Sequence, residues 1–505
     1  MATAATLRER RNAAQIAALA GVQREIKHND RRSRGKYLQD FARAFRTYET
    51  IAGREELLQA VNSADLVLVG DYHALPASQR FAAGLLEQRA HLGDRPVVLC
   101  VETIFSRDQR ILDEWWRREI DGPELRRRIR FDSEWGYDWP PFYELLIAAR
   151  EHAYAIYGLD CMPRGGMRQA HLHDRHAVEK LGEICQLHRQ AAVFVLFGES
   201  HFAPNHMPRL LREKFGDRKL LTVLQNLDEI YWQAAGASRD NLEAARVSED
   251  VWCAFNATPL EKYESYRQCL ERWGEGDPDS SDLSPAIYNL LKTLVRFLGF
   301  SEYSPHNGSQ PKFLVDLVPE IYNHPSDAHL AELAGGEPQN SLLRQLEEQG
   351  CAYVAARNTL YIREFRMAYA AQEVARFLRH ACLKLPATAG KTELPGGANQ
   401  ALEHCLAYFG ARILCPTPSE SFESTAPLER VLLRSEIAEG SAATELSLRQ
   451  LGEAMGRELY DAYLSGRASK AFLRSVFMSD SACARETCKS IFRKTRFLRP
   501  KRSTR

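Results

Sequence analysis

The chain has 505 residues, enough for two to four domains with cores of their own. Its 45% apolar and 26% charged residues are those of an ordinary globular protein. With 67 Lys+Arg against 66 Asp+Glu, nothing global argues for a nucleic-acid or anionic-membrane partner.

Residues 1–54 read as a helical segment rich in Arg and Ala, with apolar positions at helical spacing through "YLQDFARAFRTYETI". The first thirty residues carry charge throughout, with no signal-like apolar core and no lipidation cysteine, and no stretch nears the ~18 apolar residues of a membrane span. The expected location is cytoplasmic. The eleven cysteines are scattered and form no CxxC, which suits reduced, buried thiols better than disulfides or a zinc knuckle.

Five short apolar runs follow: "LVLVG" (66–70), "VVLCVE" (97–102), "YAIYGLD" (154–160), "VFVLFGE" (193–199) and "LLTVLQ" (220–225). None alternates with polar residues, as expected of strands buried on both faces. Helical patterns such as "PASQRFAAGLLEQRAHL" lie between them, so 55–235 reads as a doubly wound, mostly parallel α/β domain. The longest gap, 106–152, has an aromatic, Pro-rich middle suited to a lid, a pocket wall or an ordinary helical excursion. Beyond it the strand pattern fades: 236–385 reads as helical, 386–430 as linker-rich, and 431–505 as helical with a basic, solvated tail. In the long helix near 370, Glu373 and His380 share a face and form a second candidate site.

Two of the apolar runs end alike, on Gly-acid-x-His: "GDYH" at Gly70, Asp71, Tyr72 and His73, and "GESH" at Gly198, Glu199, Ser200 and His201. As strings they mean little, since this composition supplies about one Gly-x-x-His by chance. Their position carries more, because ligands of open parallel sheets bind at the carboxyl ends of the strands. The second run stops at Glu102 and the third at Asp160, so Asp71, His73, Glu102, Asp160, Glu199 and His201 are expected on one rim. Two histidines with carboxylates suit a divalent Zn, Mn or Fe ion, or metal-free acid/base work. "HLHDRHAVEK" brings His171, His173 and His176 close in sequence, though the pattern is that of a helix start. Cys161, beside Asp160, reads as core-edge.

In order and spacing these motifs resemble the superfamily that joins Tiki and TraB proteins, erythromycin esterases and ChaN-like haem-binding proteins. "ADLVLVGDYHALPASQRF", "VVLCVETIF", "AAREHAYAIYGLDCMPR" and "VFVLFGESHFAPNHMPRLL" are most similar to the ChaN-like branch. The resemblance implies an α/β fold whose pocket is lined by Gly70, His73, Glu102, Gly198 and His201; Asp71, Tyr72 and Asp160, near the same strand ends, are further cofactor-binding candidates. It implies haem binding linked to iron uptake, sometimes across a homodimer, with tyrosine ligation for which Tyr72, Tyr137 and Tyr143 are available. For Tiki-like members it implies metal-dependent peptide cleavage, and for the esterases metal-independent ester hydrolysis; the hydrolase reading places a metal on His73, Glu102 and His201, with Glu199 or Asp71 as general base. The cofactor is then haem or a divalent transition metal. A third reading is a non-catalytic α/β domain anchoring a helical scaffold. Residues 240–505 have no counterpart in short family members.

Overall fold

The structure, a computed structural model, describes residues 4–29, 36–161, 170–237, 242–275, 282–300, 317–323, 325, 330, 339–383, 397–415 and 442–495. Of the expected linkers, 416–427 and most of 385–400 lie outside the described residues, as does the basic tail from 496. The chain forms two compact units. An α/β unit spans Val22–Asp279, and a second, mainly helical unit comprises Met1–Gly21 with Ser280–Arg505.

The α/β unit begins within α1 (Ala4–Asn29) and continues through α2 (Lys36–Ala44), β1 (Thr50–Ala52), α3 (Arg54–Ser63), β2 (Leu66–Asp71), α4 (Pro76–Leu92) and β3 (Val97–Phe105). The long gap holds α5 (Gln109–Trp116), α6 (Gly122–Arg128), α7 (Phe131–Glu134) and α8 (Trp139–His152). Then come β4 (Ala155–Asp160), α9 (Ala170–Leu187), β5 (Ala192–Gly198), α10 (Met207–Lys214), β6 (Leu220–Gln225), α11 (Asp228–Ala237), β7 (Ala244–Ser248), β8 (Val251–Ala254) and α12 (Pro259–Glu275).

All five expected strands form. They lie in one eight-stranded sheet of order β1-β7-β8-β6-β2-β5-β3-β4. The six strands from β8 to β4 are parallel, and β7 runs antiparallel to both of its neighbours. The expectation of a helical region starting at 236 is therefore corrected, because β7 and β8 extend the sheet. They escaped the sequence pattern because each has only four or five residues, and Ala244 and Ala245 supply little apolar contrast.

Continuous apolar runs are explained by burial on both faces. Leu66, Leu68, Val98, Cys100, Val193 and Val195 pack with Phe41 of α2, Leu181 of α9, Leu211 of α10 and Ile230 of α11. The alternate residues Val67, Val69, Leu99, Val101, Phe194 and Leu196 pack with Val61 of α3, Leu86 of α4 and Leu145 of α8. Each such side chain contributes about 1.5–3 kcal/mol when fully buried. This double cover leaves the strand ends as the places where polar side chains can gather.

The second unit contains α13 (Ser284–Leu298), β9 (Glu320–Asn323), α14 (Gln339–Gln349), β10 (Cys351–Val354), β11 (Thr359–Ile362), α15 (Met367–Cys382), α16 (Gly397–Leu414), α17 (Ala442–Leu464), α18 (Lys470–Phe477) and α19 (Ala484–Thr495). Its small sheet has the order β10-β11-β9, a second correction to an all-helical expectation. Helices α16 and α17 approach closely because Gly452 and Gly456 present no side chain. A Cβ there would lie 2.5 Å from the Ala401 carbonyl oxygen and 2.6 Å from that of Cys405.

Within this bundle the Arg376 guanidinium donates to Nδ1 of His404 at 3.1 Å, so the imidazole is held as a neutral acceptor. Burial, with Arg376 adding to it, pushes His404 down to about 3. In the unfolded chain the same group binds its proton near 6.5. The unfolded state therefore holds more protons between those values, and stability that is full above pH 6.5 is lost as the pH falls toward 3. Between pH 7.5 and pH 5 the expected loss is roughly 2 kcal/mol. Urea midpoints of the wild type and of His404→Gln measure it; the variant should show the shallower pH dependence.

Candidate functional site

The carboxyl ends of β2 and β5 are in step, with Asp71 opposite Gly198. β3 lies on the other side of β5, Val101 opposite Leu196, and its pairing with β4 becomes irregular after Val101. That irregularity turns Glu102 to the rim. Glu102 accepts a hydrogen bond from the Gly198 backbone N–H at 2.5 Å, so one carboxylate ties two strand ends together.

A histidine stands on each side of Glu102. His73 Nε2 is 3.7 Å from Oε2 and His201 Nε2 is 4.0 Å from Oε1. Each imidazole is braced from behind by an aspartate. His73 Nδ1 lies 2.8 Å from Asp71 Oδ2, and His201 Nδ1 lies 2.5 Å from Asp174 Oδ1. An ionised carboxylate only accepts, so it places the proton on Nδ1 and leaves the Nε2 lone pair facing the site. Gln79 donates to the second oxygen of Asp71, and the Tyr37 hydroxyl to that of Asp174. Gly198 keeps the space between them open: a Cβ there would lie 3.1 Å from His73 Nε2, 3.3 Å from Glu102 Oε2 and 3.4 Å from His201 Cδ2.

Outside this inner set is an aromatic wall. Trp135 and Tyr137, from the long insertion, sit with ring centroids 4.5 and 5.3 Å from His73. Burial pushes the Tyr137 phenol far up, and the Glu102 and Asp71 charges add to it. Glu102 and His201 are nearly buried, whereas the His73 side chain is 20% exposed.

Other expected site residues lie elsewhere. Glu199 pairs with Lys262 of α12 at 3.0 Å, and the Lys262 ammonium sits 4.6 Å above the Tyr72 ring. Burial pushes Glu199 up, and Lys262 only partly offsets it. Burial works against the Lys262 ammonium too, but Glu199 and Asp228 outweigh it and keep the lysine charged. Asp160 is at the expected edge, where its carboxylate bonds Nδ1 of His173 at 2.6 Å and the Cys161 backbone N–H at 2.8 Å. The three histidines of "HLHDRH" do not converge: His171 is exposed, His173 holds Asp160, and His176 bonds the Ser106 hydroxyl at 2.8 Å. Tyr143 stacks on Trp139, apart from the His73 cluster. In the second unit Glu373 accepts from the Tyr353 N–H and the Gln345 amide, while His380 pairs with Glu403 at 3.2 Å, so each has a structural partner. All eleven cysteines are free thiols.

Among the described residues, groups with three ligand atoms within 4.8 Å of one another are Asp160–Cys161–His173 and Glu87–His91–His152. His73, Glu102 and His201 are set somewhat wider. No helix among the described residues is long and apolar enough to cross a membrane.

Residues 57–183 match the family described as haem-binding uptake, Tiki superfamily, ChaN. Over that stretch the α/β unit resembles the ChaN family. The matched stretch holds Gly70, Asp71, His73, Glu102, Asp160 and Asp174 of the rim; Gly198, His201 and Lys262 lie beyond it. A solved structure described as cofacial heme binding to ChaN of Campylobacter jejuni aligns over 35% of this chain and 86% of that chain, at 16% identity and a TM-score of 0.26. No curated protein matches. The rim contains side chains that sequence reasoning passed over. Asp174 was legible only as a first-turn acid of α9, and Gln79 as a polar position on α4. Tyr37, Trp135 and Lys262 carried no motif signal.

Proposed function

We propose that the ChaN-like rim binds haem through the Nε2 atom of His73, with Trp135 and Tyr137 as the flanking aromatic wall. The observation that carries this reading is the Asp71–His73 pair: His73 is the most exposed member of the inner set, and Asp71 holds the proton on its Nδ1. Haem iron takes such a histidine as axial ligand, and a hydrogen-bonded carboxylate behind it raises its basicity. Nε2 faces Glu102 and Gly198, where there is no room for a macrocycle, so taking haem iron requires the His73 ring to turn outward toward Trp135 and Tyr137. When bound, haem supplies an iron centre with exchangeable axial positions. The chain supplies the donor, its orientation and the apolar wall. A role in iron uptake, and a homodimer that closes the pocket, rest on the same reading. Hemin added to the purified protein should give a saturable Soret band. A featureless, non-saturating titration overturns the proposal, and loss of the band in Tyr137→Phe but not in His73→Ala moves the ligand to the tyrosine.

One observation favours a second reading, a metal-dependent hydrolase. Glu102 lies between two aspartate-braced imidazoles whose Nε2 atoms face it, the donor set of a two-histidine, one-carboxylate centre. In that reading Glu199 is tied up by Lys262, which leaves it a poor general base. Elemental analysis should then find one transition metal per chain, lost in Glu102→Ala.

A further inference from the structure

Glu87 and His91 are one turn apart near the end of α4, and His152 is the last residue of α8. Nε2 of His91 and Nε2 of His152 each lie 3.9 Å from Oε1 of Glu87, and the two imidazole centroids are 4.9 Å apart. One ligand atom from each residue falls within 4.8 Å of the others. This cluster is remote from the rim. α4 leaves the carboxyl end of β2 and returns to the start of β3, and α8 leads into the start of β4, so both helices end at the amino edge of the sheet. The seventeen residues of α4 separate the two edges by about 25 Å.

We infer that Glu87, His91 and His152 form a binding site for a borderline divalent cation, with Zn2+ as the fitting ion. Two imidazoles and a carboxylate are its usual nitrogen and oxygen donors. Tetrahedral bonds of about 2.0 Å would set the donors roughly 3.3 Å apart, a small contraction from the present separations. The side chains can close that distance, because His91 is 63% exposed and Glu87 51%. The position at the carbonyl ends of two helices also favours a cation. Exposure leaves the fourth coordination position open to water or an external ligand. A bound ion would clamp the last turns of α4 and α8 together.

The test uses the full chain, stripped of metal and titrated with zinc alone. The His91→Ala/His152→Ala double variant should bind one zinc fewer per chain than the wild type, and should lose the rise in Tm that zinc produces. His73→Ala, at the other edge, should keep that zinc. Glu87→Gln should weaken the site by at least about tenfold while its metal-free Tm stays at the wild-type value. Equal zinc stoichiometry and an equal zinc-induced Tm rise in the wild type, the double variant and Glu87→Gln would overturn the inference.

Discussion

Lys262→Met is expected to destabilise the α/β unit by about 3–5 kcal/mol at pH 7.5, the cost of leaving a buried charge without its partner. The Lys262 and Glu199 side chains are 8% and 12% exposed, and one oxygen of Glu199 already lacks a hydrogen-bond donor. Without the ammonium, burial and the Asp228 and Asp71 charges all push the carboxyl the same way and raise it further. The pH dependence then has a definite sign. Between about 4.5 and the raised folded value, Glu199 keeps its proton in the fold and loses it on unfolding, so rising pH favours the unfolded chain. Near pH 4.5 the unfolded chain holds about half of the proton and the folded one most of it, so the loss should shrink. Urea unfolding at the two pH values measures this. An equal loss at both would show that Lys262 acts by packing rather than by charge.

Asp71→Ala should weaken hemin binding by about 10- to 100-fold, the usual effect of removing the carboxylate behind a ligating histidine. Asp71 keeps the His73 proton on Nδ1 and fixes the ring in line with the site. The change also leaves the Gln79 amide, which now donates to Asp71, without its acceptor, at a cost of about 1–3 kcal/mol. Affinity and stability should thus fall together, and an Asp71→Ala protein that binds hemin as tightly as the wild type would remove His73 from the ligand role. A Soret titration, with Tm as the companion measurement, reads both.

The parallel core was legible because strands buried on both faces must be apolar along their buried length, as β2 is over 66–70, β3 over 97–101 and β5 throughout. The edge was not. β1 has three residues and β7 five, and neither shows periodicity until it is paired with its neighbour. The same contrast holds in the site. Gly70, His73, Glu102, Gly198 and His201 could be read because each sits where an apolar run stops. Their supports could not, since Asp174 reaches His201 across 27 residues and Lys262 reaches Glu199 across 63. Glu199 shows the consequence. Its place in the motif suggested a base, and a lysine on a helix far along the chain gives it another partner.

The central claim, haem on the carboxyl rim through His73, is tested most directly by titrating hemin in parallel into the wild type and His73→Ala. The account predicts a Soret band that saturates at a fixed stoichiometry in the wild type and is lost from the variant, with the two proteins equally folded. Superimposable titrations of the two proteins would contradict it.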